Sequence, residues 1–123
     1  AAESAGVKTL DTAYNIPVVS KYLDFINGMA YDLHGSWEKV VGHKAPMHVS
    51  PEEKEHERPK NVENAIHNCI NKGAQRNKKV LGMGHYGRSF TLTDQSKTDL
   101  GSPSKGTGRG GPINKEPGML GYN

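Results

Sequence analysis

The segment 22–37 constrains the fold of this chain more than any other part of the sequence. Its middle, residues 25–33, is mostly apolar, which is typical of a strand buried on both faces in a parallel sheet covered by helices. Asp32 lies at the end of this predicted strand, and Trp37 follows a few residues later. In α/β barrels the carboxyl ends of the strands carry the chemistry, so this segment is the first place to look for a functional site.

Two helices and a second strand are predicted around the segment. Residues 6–23 predict a helical stretch interrupted at Pro17, and residues 61–72 predict a helix that Asn61 caps. One apolar stripe on the second helix consists of Val62, Ile66, Cys69 and Ile70. Residues 79–92 read as another strand, which completes a βαβ unit, and the long loop 35–59 has no periodicity.

Composition narrows the classes of partner. The net charge of +3 is too small to concentrate a polyanion, so no nucleic-acid partner is predicted. The sequence has no apolar run long enough for a membrane span. With a single cysteine, Cys69, the chain cannot form an internal disulfide, and its cysteine content does not indicate the redox compartment. The oligomeric state cannot be read from the sequence.

Two motifs resemble the family 18 glycoside hydrolases, the chitinases and their inactive chitin-binding relatives. That family has Met-x-Tyr-Asp followed by Leu-His-Gly-x-Trp at its sixth barrel strand, and residues 29–37 match this pattern position by position. Its seventh strand typically carries Tyr-Gly-Arg-Ser-Phe, which residues 86–90 repeat. The resemblance extends over 6–123 and implies an α/β fold: a partial TIM (β/α)8 barrel of about strands 5–7 over 1–92, and the start of an α+β insertion over 93–123.

The resemblance also implies roles for individual residues. In the family the N-acetyl oxygen of the substrate attacks the anomeric carbon, an exception to the usual scheme with two carboxylates. The catalytic residues implied are Tyr31, which would hold that acetamido group, and Asp32, which would form a hydrogen bond to the sugar or its neighbour. The substrate-binding residues implied are Met29, Trp37, Tyr86 and Arg88. Chitin or chito-oligosaccharides would be the partners, the protein would be secreted, and no cofactor or metal is expected.

The chain lacks the acidic signature of the family. No stretch has the spacing Asp-x-x-Asp-x-Asp-x-Glu, which supplies the general acid, and a barrel takes about 250 residues whereas this chain has 123. We therefore expect the middle of a chitinase-type domain, an enzyme by resemblance. The alternatives are a catalytically inactive, lectin-like relative that binds chitin, and a fragment without activity.

Four of the site residues also have a purely structural interpretation. Met29 and Tyr31 would fill a barrel core, Trp37 would pin its loop to the barrel, and Arg88 would form an ion pair with Asp32.

Two other motifs are set aside. Residues 82–87 spell G-x-G-x-x-G, but the continuation alternates like a strand where a dinucleotide site needs a helix. The six histidines show neither H-x-H nor H-E-x-x-H spacing, so no metal site is predicted.

Four residues depart from the family pattern. They are Gly28 in place of a β-branched residue, His48 and Ile113 in place of Tyr, and Cys69 in place of Trp. Loss of a buried Trp and a strand glycine both weaken a core. The sequence thus suggests that restoring Trp at 69 and a β-branched residue at 28 raises the thermal midpoint.

Overall fold

The computed structural model describes residues 2–4 and 6–122, apart from the side chains of Ala2 and Val7. Ala1, Ala5 and Asn123, which the predicted segments 1–92 and 93–123 include, lie outside the described residues. The elements in chain order are β1 (Ala2–Ser4), α1 (Val7–Ala13), α2 (Ile16–Tyr22), β2 (Ile26–Met29), α3 (Val62–Asn71), β3 (Lys79–Leu81), β4 (Tyr86–Arg88), β5 (Phe90–Leu92), β6 (Ser104–Thr107) and β7 (Met119–Gly121).

A parallel sheet of order β1-β2-β3 organises the first two thirds of the chain. Glu3 pairs with Gly28 between β1 and β2, and Gly28 pairs with Leu81 between β2 and β3. Helices connect the strands, as parallel pairing requires. The carboxyl ends of all three strands therefore lie at one edge of the sheet.

The helices form largely where the sequence predicts them. The stretch predicted over 6–23 breaks into α1 and α2, with Pro17 in the first turn of α2, where a missing N–H costs nothing. Asn61 caps α3, because its side chain accepts a hydrogen bond from the Asn64 N–H at 2.8 Å. Gly73 follows α3 with φ of +103°, a left-handed conformation that suits glycine.

The hydrophobic core lies between the parallel sheet and the helices. Its buried members are Leu10, Ile16, Ile26, Cys69 and Ala74, with Tyr14, Val19 and Leu23 packed against them. Each element from α1 to α3 contributes to this cluster, so the helical layer and the sheet hold one another in place.

The strand predicted to be buried on both faces is shorter and covered on one face only. β2 has four residues, of which Ile26 and Gly28 are buried while Asn27 is exposed and Met29 is half-buried. The buried residues face the helices, as alternation along a strand requires. The opposite face, which carries Asn27 and Met29, is not covered by a second layer within the described residues.

The single strand predicted over 79–92 is wrong, because the structure has three short strands there. β3 ends at Leu81, and the Gly82 N–H donates to the Gly28 carbonyl at 2.8 Å as the chain leaves the sheet. β4 and β5 then pair with later segments in two antiparallel ribbons, β4 with β7 and β5 with β6. The glycine-rich turn at 82–85 allows this change of direction, and no helix opens at Gly87.

The long loop that follows β2 is tied down at its base. His34 is 3% exposed, and its Nδ1 lies 2.7 Å from the Glu38 carboxylate, which also contacts the ammonium of Lys60. Burial raises the pKa of Glu38, but the hydrogen bonds from Lys60 and His34 outweigh it and lower that pKa. The loop thus enters and leaves beside one buried imidazole.

A buried polar cluster lies on the helix side of the sheet. Glu3 and Lys79, whose side chains are 5% and 4% exposed, form an ion pair between β1 and β3, and the Cys69 thiol of α3 donates to Glu3 Oε2 at 2.9 Å. Burial lowers the pKa of Lys79 to about 8 and raises the pKa of Cys69. Gly28 lies beneath the lysine: a Cβ there would be 2.8 Å from Lys79 Nζ.

No helix among residues 2–4 and 6–122 is long and apolar enough to cross a bilayer.

Candidate functional site

The candidate site lies at the carboxyl edge of the parallel sheet. Asp32 follows β2 after two residues and has a φ of +56°, in the left-handed region that Asp and Asn tolerate better than most residues. Tyr86 and Arg88 lie two residues apart on β4, so both side chains project from the same face of that strand. The turn at Asp32 and the face of β4 meet over the end of the sheet.

Three side chains form a tightly connected group there. Arg88 donates to Asp32 through two nitrogens, Nε to Oδ1 at 2.8 Å and Nη2 to Oδ2 at 2.9 Å, and the Tyr86 hydroxyl donates to Oδ2 at 2.5 Å. A bidentate guanidinium–carboxylate pair fixes both partners geometrically. The ion pair given as the structural interpretation of Arg88 is therefore present.

The pKa values of the group reflect these contacts. The hydrogen bonds from Arg88 lower the pKa of Asp32, and they outweigh the opposing effect of burial. Burial and the hydrogen bond to Asp32 raise the pKa of Tyr86 to about 12. At neutral pH the site consequently contains a carboxylate, a guanidinium and a neutral phenol, and Asp32 acts as a hydrogen-bond acceptor.

A groove of about 760 Å³ runs along the sheet edge beside this group. Met29, Tyr31 and Asp32 line it, and Tyr31 and Met29 are both half-buried. The Tyr31 ring contacts the Tyr86 ring edge to face, with 6.1 Å between centroids. The two residues interpreted from sequence as possible core are thus partly open to solvent in the described chain.

Trp37 combines support and exposure. Its ring packs over Gly35, where an added Cβ would lie 2.2 Å from the indole, and it remains 60% exposed. The Arg88 guanidinium carbon lies 5.5 Å from the indole centroid, within the range of a cation–π contact. One side of the Trp37 ring holds the loop in place by packing on Gly35, and the exposed part of the ring is available to a flat apolar ligand surface.

Sequence reasoning missed one residue of the site, Lys44. The Leu33 N–H donates to the Lys44 carbonyl at 2.9 Å, which places this loop residue beside Asp32. Its ammonium donates to the Gly84 carbonyl at 2.8 Å and lies 3.6 Å from the Tyr86 ring centroid. Burial lowers its pKa. A lone lysine in a polar loop belongs to no motif, so the sequence gives no signal for Lys44. Its place in the site depends on the backbone hydrogen bond with Leu33.

The six sequence-predicted residues fall into one neighbourhood. Asp32, Tyr86 and Arg88 are hydrogen-bonded together, while Tyr31 and Trp37 contact this group through ring interactions. Met29 is connected to it through the shared groove lining. Within the described part of the chain, no three His, Cys, Asp or Glu side chains are grouped so as to hold a metal ion.

Comparison with known proteins identifies the family of this chain. The model of the glycosyl hydrolases family 18 matches residues 1–123. The chain belongs to this family. Mouse chitotriosidase-1 is 41% identical over 113 residues, which cover 92% of this chain and 24% of the relative.

Two solved structures of this family superpose closely. The immunomodulatory active chitinase of Trichuris suis has a TM-score of 0.93 at 37% identity, covering 96% of this chain and 32% of that one. Human YKL-39, described as a pseudo-chitinase with retained chitooligosaccharide binding properties, has a TM-score of 0.92 at 40% identity, covering 97% and 33% respectively. The family 18 chain thus spans about a quarter to a third of the length of these three relatives.

Proposed function

We propose that this family 18 chain supplies the substrate-contacting portion of a chitinase-type hydrolase that acts on chitin or N-acetylglucosamine oligosaccharides. The single observation that carries the proposal is the Asp32–Tyr86–Arg88 group beside a groove lined by Tyr31. Fixed hydrogen-bonding groups next to an apolar surface are what an oligosaccharide site needs, because sugars present hydroxyls and C–H faces together.

Each residue has a task in the proposed reaction. The Tyr31 hydroxyl binds the acetamido group of the sugar and holds its carbonyl oxygen for attack on the anomeric carbon. Asp32, kept ionised by Arg88, accepts a hydrogen bond from the acetamido N–H or a hydroxyl and stabilises the positive charge that develops. Met29 lies under the sugar ring. The proton for the leaving group comes from a residue outside this chain, and the configuration is retained.

Three details of the parent protein belong to the same proposal. The strands β1, β2 and β3 correspond to the fifth, sixth and seventh strands of a TIM barrel, and residues 93–123 begin an α+β insertion. The uncovered face of β2, with Asn27 and Met29, supports this assignment because in a closed barrel it would face the interior. The parent protein is secreted and meets its substrate outside the cell.

A catalytically inactive chitin-binding protein is the second candidate. It is favoured by the similarity to human YKL-39, described as a pseudo-chitinase with retained chitooligosaccharide binding properties. The residue that ends the fourth barrel strand of the parent distinguishes the two, because a glutamate there supplies the general acid.

Binding by the chain itself tests the proposal. Trp37 is the only tryptophan, so its fluorescence reports occupation of the site during titration with N-acetylglucosamine oligosaccharides. Tyr31→Phe should weaken binding by the ~0.5–1.5 kcal/mol of one hydrogen bond. The matched control is Tyr22→Phe, since Tyr22 is 75% exposed on α2 and should not affect binding. No hydrolysis is expected.

Two results would contradict this proposal. One is a folded chain, with a cooperative circular dichroism melt, that binds no oligosaccharide. The other is equal weakening by the Tyr31 and Tyr22 variants.

A further inference from the structure

Lys44 occupies the space between the two tyrosines of the site. Its ammonium lies 3.6 Å from the Tyr86 centroid and 5.7 Å from the Tyr31 centroid, and it donates to the Gly84 carbonyl at 2.8 Å. A Cβ on Gly84 would approach Lys44 Nζ to 2.6 Å and Tyr86 Cε1 to 2.9 Å. The glycine in the turn after β3 therefore provides the room in which this cation sits.

The cation also lies between two tyrosines that line different grooves. Tyr31 and Asp32 line the groove of about 760 Å³, whereas Gly84 and Tyr86 line a second one of about 620 Å³. Lys44 contacts the tyrosine of each groove. A chain of sugars crossing from one groove to the other would pass beside its charge.

The charges around Lys44 do not cancel. Asp32 is paired with Arg88, and Lys60, which lines the first groove, is paired with Glu38. Lys44 adds a further cation that feels the Asp32 carboxylate, but that carboxylate already holds the bidentate guanidinium. Lys8, which also lines the first groove, is basic as well, whereas His56 lies 3.9 Å from the Glu57 carboxylate. Among these groups, Lys44 and Lys8 thus leave an excess of positive charge.

We propose that Lys44 is a specificity-determining residue that makes this site discriminate against protonated amino-sugar units relative to neutral N-acetylated units. The inference rests on the proposed function, since it concerns which sugars the same grooves accept. A like charge a few ångströms from a positive site reduces binding, while an acetylated nitrogen carries no charge and is not repelled.

The experiment compares two oligosaccharides of equal length, one fully N-acetylated and one fully deacetylated. Both are titrated at low ionic strength and mildly acidic pH, where free sugar amines are protonated, and Trp37 fluorescence reports binding. Removal of one partly exposed charge should change the ratio of the two dissociation constants about three- to tenfold. Lys44→Met should therefore weaken the discrimination by that factor.

Two further variants separate the charge from other effects. Lys44→Gln removes the charge but keeps a donor for the Gly84 carbonyl, so it should reproduce the loss of discrimination. Lys21→Met is the matched control, because Lys21 is an exposed lysine whose ammonium lies 5.6 Å from the ring of Tyr22 on α2. It should leave the ratio unchanged.

Salt provides a measurement that needs no variant. Screening shortens from about 30 Å at 0.01 M ionic strength to about 3 Å at 1 M, so the discrimination of the wild-type chain should shrink as salt rises. A ratio unaffected by salt, or by both Lys44 variants, would overturn the inference while N-acetylated binding still supports the proposed function. Absence of binding to both oligosaccharides would overturn the two together.

Discussion

Gly28→Val is the substitution for which the structure makes the sharpest stability prediction. The new Cβ would lie 2.8 Å from Lys79 Nζ and 2.9 Å from Lys79 Cε, in a space where the lysine side chain is only 4% exposed. Overpacking of this kind costs about 1–3 kcal/mol, and the loss approaches ~3–5 kcal/mol when a buried ion pair is forced apart. We expect destabilisation within that range.

The matched control is Gly87→Val. Gly87 also lies within a strand, β4, but an added Cβ meets no atom within 4 Å. A β-branched residue suits an open strand position, so this variant should be neutral or slightly stabilising. Urea denaturation followed by circular dichroism measures both changes.

A double-mutant cycle identifies the cause. In a background carrying Glu3→Gln and Lys79→Ala, the ion pair is gone and the space over Gly28 is vacant. Gly28→Val should then stabilise by ~1 kcal/mol, so that the coupling between the sites exceeds ~2 kcal/mol. Equal effects of Gly28→Val in the two backgrounds would refute the idea that the glycine accommodates the lysine.

The same packing reverses an expectation drawn from the sequence. A bulky residue at 28 and Trp at 69 looked stabilising, but Cys69 is fully buried and its thiol donates to Glu3. Cys69→Trp would overfill this space and remove the donor, so we expect a lower thermal midpoint. Gly28 and Cys69 are better understood as two small residues that fit one buried ion pair.

The site and the helix cap give three further predictions. The fold lowers the pKa of Asp32 from 3.8, so its contribution to stability should be present above about pH 4 and be lost as the pH falls through the folded pKa; Asp32→Asn should flatten this acid limb in circular dichroism. Arg88→Met should raise the pKa of Asp32, as a carboxyl-carbon NMR titration would show. Asn61→Ala should cost about 1 kcal/mol in urea denaturation, because the Asn64 N–H loses its acceptor.

Local signals in the sequence predict the helices well. Asn61, the apolar stripe behind it and Gly73 define α3 almost to the residue, and Pro17 accounts for the break between α1 and α2. β1 carries no such signal, because Ala-Glu-Ser shows no apolar alternation. Its glutamate can be buried because it forms an ion pair with a lysine on β3. Such long-range compensation has no local pattern to reveal it.

The candidate site shows the same division. The sequence could suggest Tyr31, Asp32, Tyr86 and Arg88 as candidates because each belongs to a contiguous motif that resembles a family 18 motif. Lys44 belongs to no motif, and its position depends on a hydrogen bond between two loop backbones. The sequence also gives no signal that residues 79–92 form three strands. β4 and β5 pair with β7 and β6, which lie in polar, glycine-rich sequence without strand periodicity.

The left-handed backbone at Asp32 limits how this position can evolve. A φ of +56° is inexpensive for Asp, Asn and Gly but strained for other side chains. Truncation to alanine would therefore disturb the turn as well as the carboxylate, and the measured loss would mix the two. Asparagine is the isosteric replacement that keeps this bend and removes only the charge, so it is the substitution that isolates the contribution of the carboxylate.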